Sequence, residues 1–215
     1  DQPITPRGRP WQRMGEQYRD PWGCVWKTTE EGITGAVVAH PLADWDAFDD
    51  YLPPDPATTK GRLPANPAFW DEQQARIRRQ KAQGQLASGA LPHGHNFLRL
   101  QYLRGYENLL FDMVDDDPRL HELIGMVESF YLYTARRYAS LGVDMITYAE
   151  DLGMQQGPML SPEHFRRYIN PTFNRLMQPA RQAGCIIRMH SDGDIRDLAD
   201  DLLDLGVQAL NIQDL

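Results

Sequence analysis

Apolar positions repeat with two different periods along this chain, and the change of period divides it into elements. From Pro118 onward, Leu120, Leu123, Ile124, Val127, Phe130 and Tyr131 recur at i, i+3, i+4 and i+7, the spacing that gathers side chains on one helical face. Asp117 precedes this run as an N-cap, Pro118 suits the first turn, and Gly142 supplies the C-terminal stop. Beyond that glycine come three short β-rich runs, "VDMITYAEDLG", "AGCIIRMH" and "GVQALNI". A helix opens between the first two at "SPEHF", with Ser161 as N-cap, Pro162 in the first turn and Glu163 in the favourable acidic position. Pro171 and Pro179 predict interruptions of that helix. Between the last two runs, Ile195, Leu198, Ala199, Leu202 and Leu205 fall on one side of a helix, and Asp197, Asp200, Asp201 and Asp204 form a solvated face. Short apolar strands joined by helices need crossover connections, so the last 75 residues predict a parallel α/β segment of barrel type.

The first 140 residues are less regular. A lead-in rich in Pro, Gly, Arg and Trp precedes a short β-prone run from Ile33 to Ala39. Pro53 and Pro54 stop a short helical piece, and "PPDPATTKGRLPANP" reads as loop. A polar surface helix follows over Pro67 to Gln83, then a short strand in "QLASGA" and two helical pieces broken near Gly105.

With 215 residues, 41% hydrophobic and 24% charged, the chain has the balance of a globular protein with a sizeable core. A net charge of -8 argues against a nucleic-acid or anionic-membrane partner, and no apolar stretch is long enough for a membrane span or signal peptide. A cytoplasmic location and small-molecule or protein partners are the expectation. The start without Met and the stop after a strand predict a single domain over 1–215 that is part of a longer protein. Cys24 and Cys185 form no zinc-type or redox pair and read as reduced structural thiols.

An α/β barrel carries its reactive groups just beyond the C-terminal ends of its strands. In this chain those places hold His93 and His95 after Ala90, Glu150 and Asp151 after Ala149, His190, Ser191 and Asp192 after Met189, and Asn211, Gln213 and Asp214 at the last strand. Ser191 or Asp192 could cap the following helix, Asp194 reads as a helix-start residue, and Gly193 as a backbone hinge. A cap needs no imidazole, which makes His190 the candidate for chemistry. Adjacent side chains on extended backbone point to opposite sides, so at most one of Glu150 and Asp151 faces the axis. His93 and His95 have ligand-like spacing but no clear third ligand, a weak metal signature. No GxGxxG follows a strand, which leaves dinucleotide binding without its fingerprint.

Four words of the chain, "DPWGCVW" (Asp20 to Trp26), "LRGYENLLFDMVDDDPRLHELI" (Leu103 to Ile124), "EDLGMQQGPMLSPEHFRRYINP" (Glu150 to Pro171) and "HSDGDIRDLADDLLDLGVQALN" (His190 to Asn211), resemble the uroporphyrinogen decarboxylase superfamily. That superfamily includes methyltransferases that move methyl groups between corrinoid cofactors and thiols. The resemblance implies a (β/α)8 TIM barrel, here incomplete at both ends, with a tetrapyrrole or corrinoid site at its C-terminal face. It implies Asp151, His190 and Asp192 as catalytic residues, His190 and Asp192 as metal ligands, and Glu150, Gln155 and Asn211 as cofactor-binding residues. The implied cofactors are zinc and a corrinoid for methyl transfer, or none for decarboxylation. The implied partners are a tetrapyrrole or methylated small molecule, a corrinoid protein, and a second copy in a homodimer.

The chain departs from both branches of the superfamily. True decarboxylases carry an Arg-Gln-Ala-Gly-Arg-Tyr word near the N-terminus, whereas "RQAG" at Arg181 to Gly184 closes a helix and leads into a strand. Thiol-directed methyltransferases have His-x-Cys-Gly where "HSDG" stands, so Asp192 replaces a soft thiolate by a hard carboxylate. Methyl transfer is the favoured expectation, with uroporphyrinogen decarboxylation and a non-catalytic tetrapyrrole-binding module as alternatives.

Overall fold

The structure is a computed structural model that describes residues 14–31 and 35–213. The lead-in over residues 1–13, part of the run from Ile33 and the rim residue Asp214 lie outside the described residues. Three short strands, β1 (Gln17–Arg19), β2 (Val25–Lys27) and β3 (Ala36–Ala39), make an antiparallel sheet. The turn between β1 and β2 is organised by one buried carboxylate. Asp20 accepts hydrogen bonds from the amides of Trp22 and Cys24 and from Nε1 of Trp26, and its Oδ2 lies 3.5 Å from Nη1 of buried Arg99. Arg99 also faces the Trp22 ring, 4.9 Å from its centroid, so the cation is matched by both a carboxylate and a π face. The 3₁₀ turn at Trp45–Ala47 follows, well short of Pro53, and then the small hairpin β4 (Thr59–Lys60) and β5 (Leu63–Pro64).

Helix α1 (Phe69–Ala82) lies on the surface and buries only Ile77, as its narrow apolar stripe predicts. Strand β6 (Ser88–Ala90) leads to α2 (Phe97–Arg104) and α3 (Tyr106–Asp115), divided at Gly105, whose φ of 87° is one that glycine adopts without a steric cost. Helix α4 (Pro118–Ser140) begins where the pattern places it: the Asp117 side chain accepts from the Arg119 amide. All six periodic apolar residues of that helix are buried.

Strand β7 (Met145–Ala149) is followed by a rim hairpin, β8 (Gly153–Met154) and β9 (Gly157–Pro158). Ser161 caps α5 (Pro162–His164) by accepting from the His164 amide, a π-helical turn spans Phe165–Ile169, and α6 runs Asn170–Gln182. The expected breaks at Pro171 and Pro179 do not occur. Pro171 lies inside a helix that runs unbroken from Pro162, and the wider π turn at Phe165–Ile169 just before it accommodates the ring and the missing N–H. Pro179 lies inside α6, and the carbonyl left without its N–H belongs to Arg175, on the exposed side of the helix. Strand β10 (Ile186–Asp192), a 3₁₀ turn at Arg196–Leu198, α7 (Ala199–Asp204) and β11 (Ala209–Gln213) complete the described chain.

Strands β6, β7, β10 and β11 pair in that order, all parallel, so each consecutive strand is added to the same growing edge with its helices on one side. This is the arrangement of an α/β barrel segment, and the described strands form an open four-stranded sheet without closure. The helix layer lies tight against it: a Cβ on Gly89 of β6 would stand 2.4 Å from the Tyr138 ring of α4. Tyr148 of β7 donates its hydroxyl to the Leu176 carbonyl of α6. No helix among the described residues is long and apolar enough to cross a membrane.

Both cysteines are free and buried. Burial, reinforced by the Asp20 carboxylate, pushes the Cys24 thiol up to about 12. At pH 8 that lowers its thiolate fraction about a thousandfold relative to an ordinary cysteine. Iodoacetamide at pH 8 should therefore leave Cys24 unmodified in the native protein and modify it after unfolding in urea, as read by peptide mass spectrometry. Rapid native labelling would show that the turn around Asp20 is not packed as described.

Candidate active site

The loops after β6, β7 and β10 meet at the C-terminal rim of the sheet, and they are held there by Glu150. This residue follows β7, is fully buried, and accepts backbone hydrogen bonds from His95 (3.2 Å), Asn96 (2.8 Å) and Leu98 (2.9 Å) at the start of α2. A side chain from a neighbouring strand thus does for α2 what an N-cap residue does locally. Burial raises the Glu150 carboxyl to about 7, against the pull of those amides and of His93. Glu150 is accordingly a structural clamp, enclosed away from the rim surface where the resemblance implies cofactor binding.

The neighbouring Asp151 points the other way. Its Oδ1 lies 3.1 Å from His93 Nε2 and accepts, at 3.3 Å, from the Asp192 amide. The His93 bond raises that imidazole above the usual histidine range, against the opposing effect of burial. Burial works against the Asp151 charge too, but the bond and charge of His93 outweigh it and hold the carboxyl below the usual range. The ring of His190 lies 6.3 Å from that of His93, centroid to centroid. His93, Asp151 and His190 each offer one ligand-type atom, and these atoms all lie within 4.8 Å of one another.

The tautomer of His190 is set from behind. Its Nδ1 is 3.1 Å from the Asn211 carbonyl oxygen and 3.2 Å from Asn211 Oδ1. Arg188 Nη2 donates to the same Oδ1 at 2.8 Å, and a guanidinium can only donate, so this amide atom is the oxygen. Nδ1 therefore carries the hydrogen, and in the neutral ring Nε2 turns its lone pair toward the rim. Asp192 Oδ1 is 3.4 Å from that Nε2, shielded from solvent, and without a hydrogen-bond partner among the described residues.

Of the residues expected from the sequence, the structure brings Asp151 and His190 into one group, with Asp192 adjoining it and Asn211 behind His190. Gln155 stands exposed in the turn between β8 and β9 and makes no hydrogen bond to the group among the described residues. The spacing of His93 and His95 does not translate into a shared site. His95 is buried among Tyr131, Tyr148 and Phe173, its Nδ1 bonds the Ala149 carbonyl, and burial lowers its pKa to about 3. The two groups that join His93 come from two other strands, Asp151 after β7 and His190 on β10. Ser191 caps no helix; its Oγ accepts from the Leu152 amide and donates to the Asp192 carbonyl, tying the β7 and β10 loops together. Asp194 accepts from the Arg196 amide and pairs with its guanidinium, as a helix-start residue does. Gly153 and Gly193 meet backbone to backbone: a Cβ on either would lie 2.4 Å from the carbonyl carbon of the other. Arg62, in the β4–β5 turn, stacks 4.5 Å from the Trp26 ring centroid, near enough for its charge to be felt by His93.

The description of the uroporphyrinogen decarboxylase (URO-D) family matches residues 28–214. The chain belongs to that family. Among solved structures, it is similar to a methyltransferase from Methanosarcina mazei, with a TM-score of 0.60 and 15% identity over 88% of this chain and 52% of that one. This likeness shows the shared fold, and the chain spans about half the length of that structure. No curated protein matches.

Replacing Glu150 by Ala would leave three buried amides without an acceptor, at a cost on the order of 3 kcal/mol or more. Urea denaturation followed by tryptophan fluorescence should show that loss. A Glu150→Ala protein as stable as the wild type would mean that α2 does not depend on this clamp.

Proposed function

We propose that this chain forms part of a metal-dependent methyl-transfer enzyme of the URO-D family, working with a corrinoid. The observation that carries the reading is the convergence of His93, Asp151 and His190 from three adjacent strands onto one point of the rim. Two imidazoles and a carboxylate suit zinc with a coordination position left for substrate. Asp192 stands beside this group, its Oδ1 3.4 Å from His190 Nε2, and is not one of its three ligands. The ion would supply Lewis acidity at the atom that gives or accepts the methyl group.

The protein's own part is positioning. His190 is held in one tautomer by Asn211, the support that ligand histidines need from behind. The Asp192 amide orients Asp151 while Glu150 anchors the loop that carries His93. The hard donor set distinguishes this site from a thiolate-rich one and favours oxygen-centred over thiol-centred methyl chemistry. The structural likeness to a methyltransferase supports the fold on which the reading stands.

Protein stripped with a chelator and titrated with zinc should bind one ion, measured by calorimetry and metal analysis. His93→Ala, Asp151→Ala and His190→Ala should each weaken binding by about tenfold or more, whereas Asp194→Ala should leave it unchanged. The wild-type protein should also convert methylcobalamin or its demethylated form in the presence of a methyl acceptor or donor, followed by absorbance. Absence of zinc binding, or CO2 release from uroporphyrinogen without any change in cobalamin, would overturn the reading.

A further inference from the structure

Side chains on β10 alternate strictly: Ile187, Met189 and Ser191 are buried against the helices, while Arg188, His190 and Asp192 share the opposite face. The register sets Arg188 beside Thr147 of β7 and Ala209 of β11, with Ala90 of β6 next in the same row. His190 belongs to the row above, beside Ala149 and Asn211, about 6–7 Å further along the strands. Arg188 therefore sits on the inner face directly beneath the histidine of the candidate metal site.

Its electrostatic situation is unlike that of the buried arginines elsewhere. Arg99 and Arg104 each face a carboxylate, Asp20 and Asp112. Arg188 has no carboxylate within ion-pairing distance among the described residues, and its one hydrogen bond there goes to a neutral amide oxygen of Asn211. Four of the five N–H donors of a guanidinium are then left for something else. The row around it is made of small residues, two alanines and a threonine, which leave space above the sheet where a bulky row would fill it. Through Asn211 Oδ1, which also accepts from His190, the guanidinium and the imidazole are tied into one unit.

We propose that Arg188 is a substrate-binding residue that takes the carboxylate of a small anionic substrate whose reacting end lies at His93, Asp151 and His190. The place of the reacting end rests on the metal reading above; the recognition of the anion does not. A single guanidinium with one hydroxyl in its row, Thr147, matches the single charge and planar fork of a carboxylate better than a phosphate dianion.

The test uses 3-methoxypropionate and its neutral counterpart 3-methoxypropionamide, titrated calorimetrically into the intact protein with zinc and after chelation. Wild-type protein should bind the acid about tenfold or more tightly than the amide in both states, the size expected of a charge-assisted pair. Arg188→Gln should erase the preference while leaving zinc affinity unchanged, and Arg188→Lys should keep part of it. If Arg188→Gln fails to fold by circular dichroism, the graded loss in Arg188→Lys decides. Equal binding of acid and amide, no measurable binding of the acid, or a preference untouched by either substitution overturns the proposal. An Arg188-dependent preference in a protein that binds no zinc would uphold the anion site and remove the metal reading; zinc binding without the preference would do the reverse.

Discussion

The rim depends on a carboxylate that never reaches it. Glu150 leaves β7 pointing into the protein and gathers the three amides that open α2, so the loop from β6 to α2 can take only one path across the sheet. That path delivers His93 to the rim and buries His95. Because side chains on extended backbone alternate, fixing Glu150 inward also fixes Asp151 outward, where it meets His93. One buried interaction thereby places two members of the candidate site, and the third arrives on β10 through ordinary parallel register, His190 beside Ala149.

The rim is positioned at short range, by a few shared hydrogen bonds. Asn211 assigns the His190 hydrogen, Arg188 assigns the Asn211 oxygen, and Asp151 competes for the His93 proton. These bonds fix the His190 tautomer and the orientation of the Asn211 amide, the preorganisation a site needs if it is to act on a bound group without first rearranging. The open sheet shows the same economy, since three of its inner positions beside Arg188 and His190 are alanines.

Much of this was legible in the linear pattern. The 3.6 period of α4, its Asp117 cap and the alternation of strand and helix after residue 140 were enough to predict the parallel sheet and its polar rim. His190 and Asp192 stood at a strand end, where position made them candidates, while position alone left Glu150 and Asp151 undivided. His93 was visible only as half of a pair with His95, because the sequence carries no sign that Glu150 turns one histidine out and the other in. Arg188 was overlooked for a different reason: its signal is its place at i and His190 and Asp192 at i+2 and i+4, and that period matters only once one face of β10 is known to look inward. The prolines misled because a π turn relieves Pro171 and an exposed carbonyl relieves Pro179, neither of which is written in local propensity.

Gly153 and Gly193 approach each other so closely that neither has room for a side chain, and Gly193 also needs its left-handed φ of 78°. They belong to different loops, yet their contact sets the separation between the segments that carry Asp151 and Asp192. The two words Glu-Asp-Leu-Gly and His-Ser-Asp-Gly, at residues 150–153 and 190–193, are thus one spatial statement made by two separate stretches of chain. In comparing family members, a side chain at one of these glycines would mark a lineage in which the loops have parted, and with them the two aspartates, even where every polar residue of the rim is still in place.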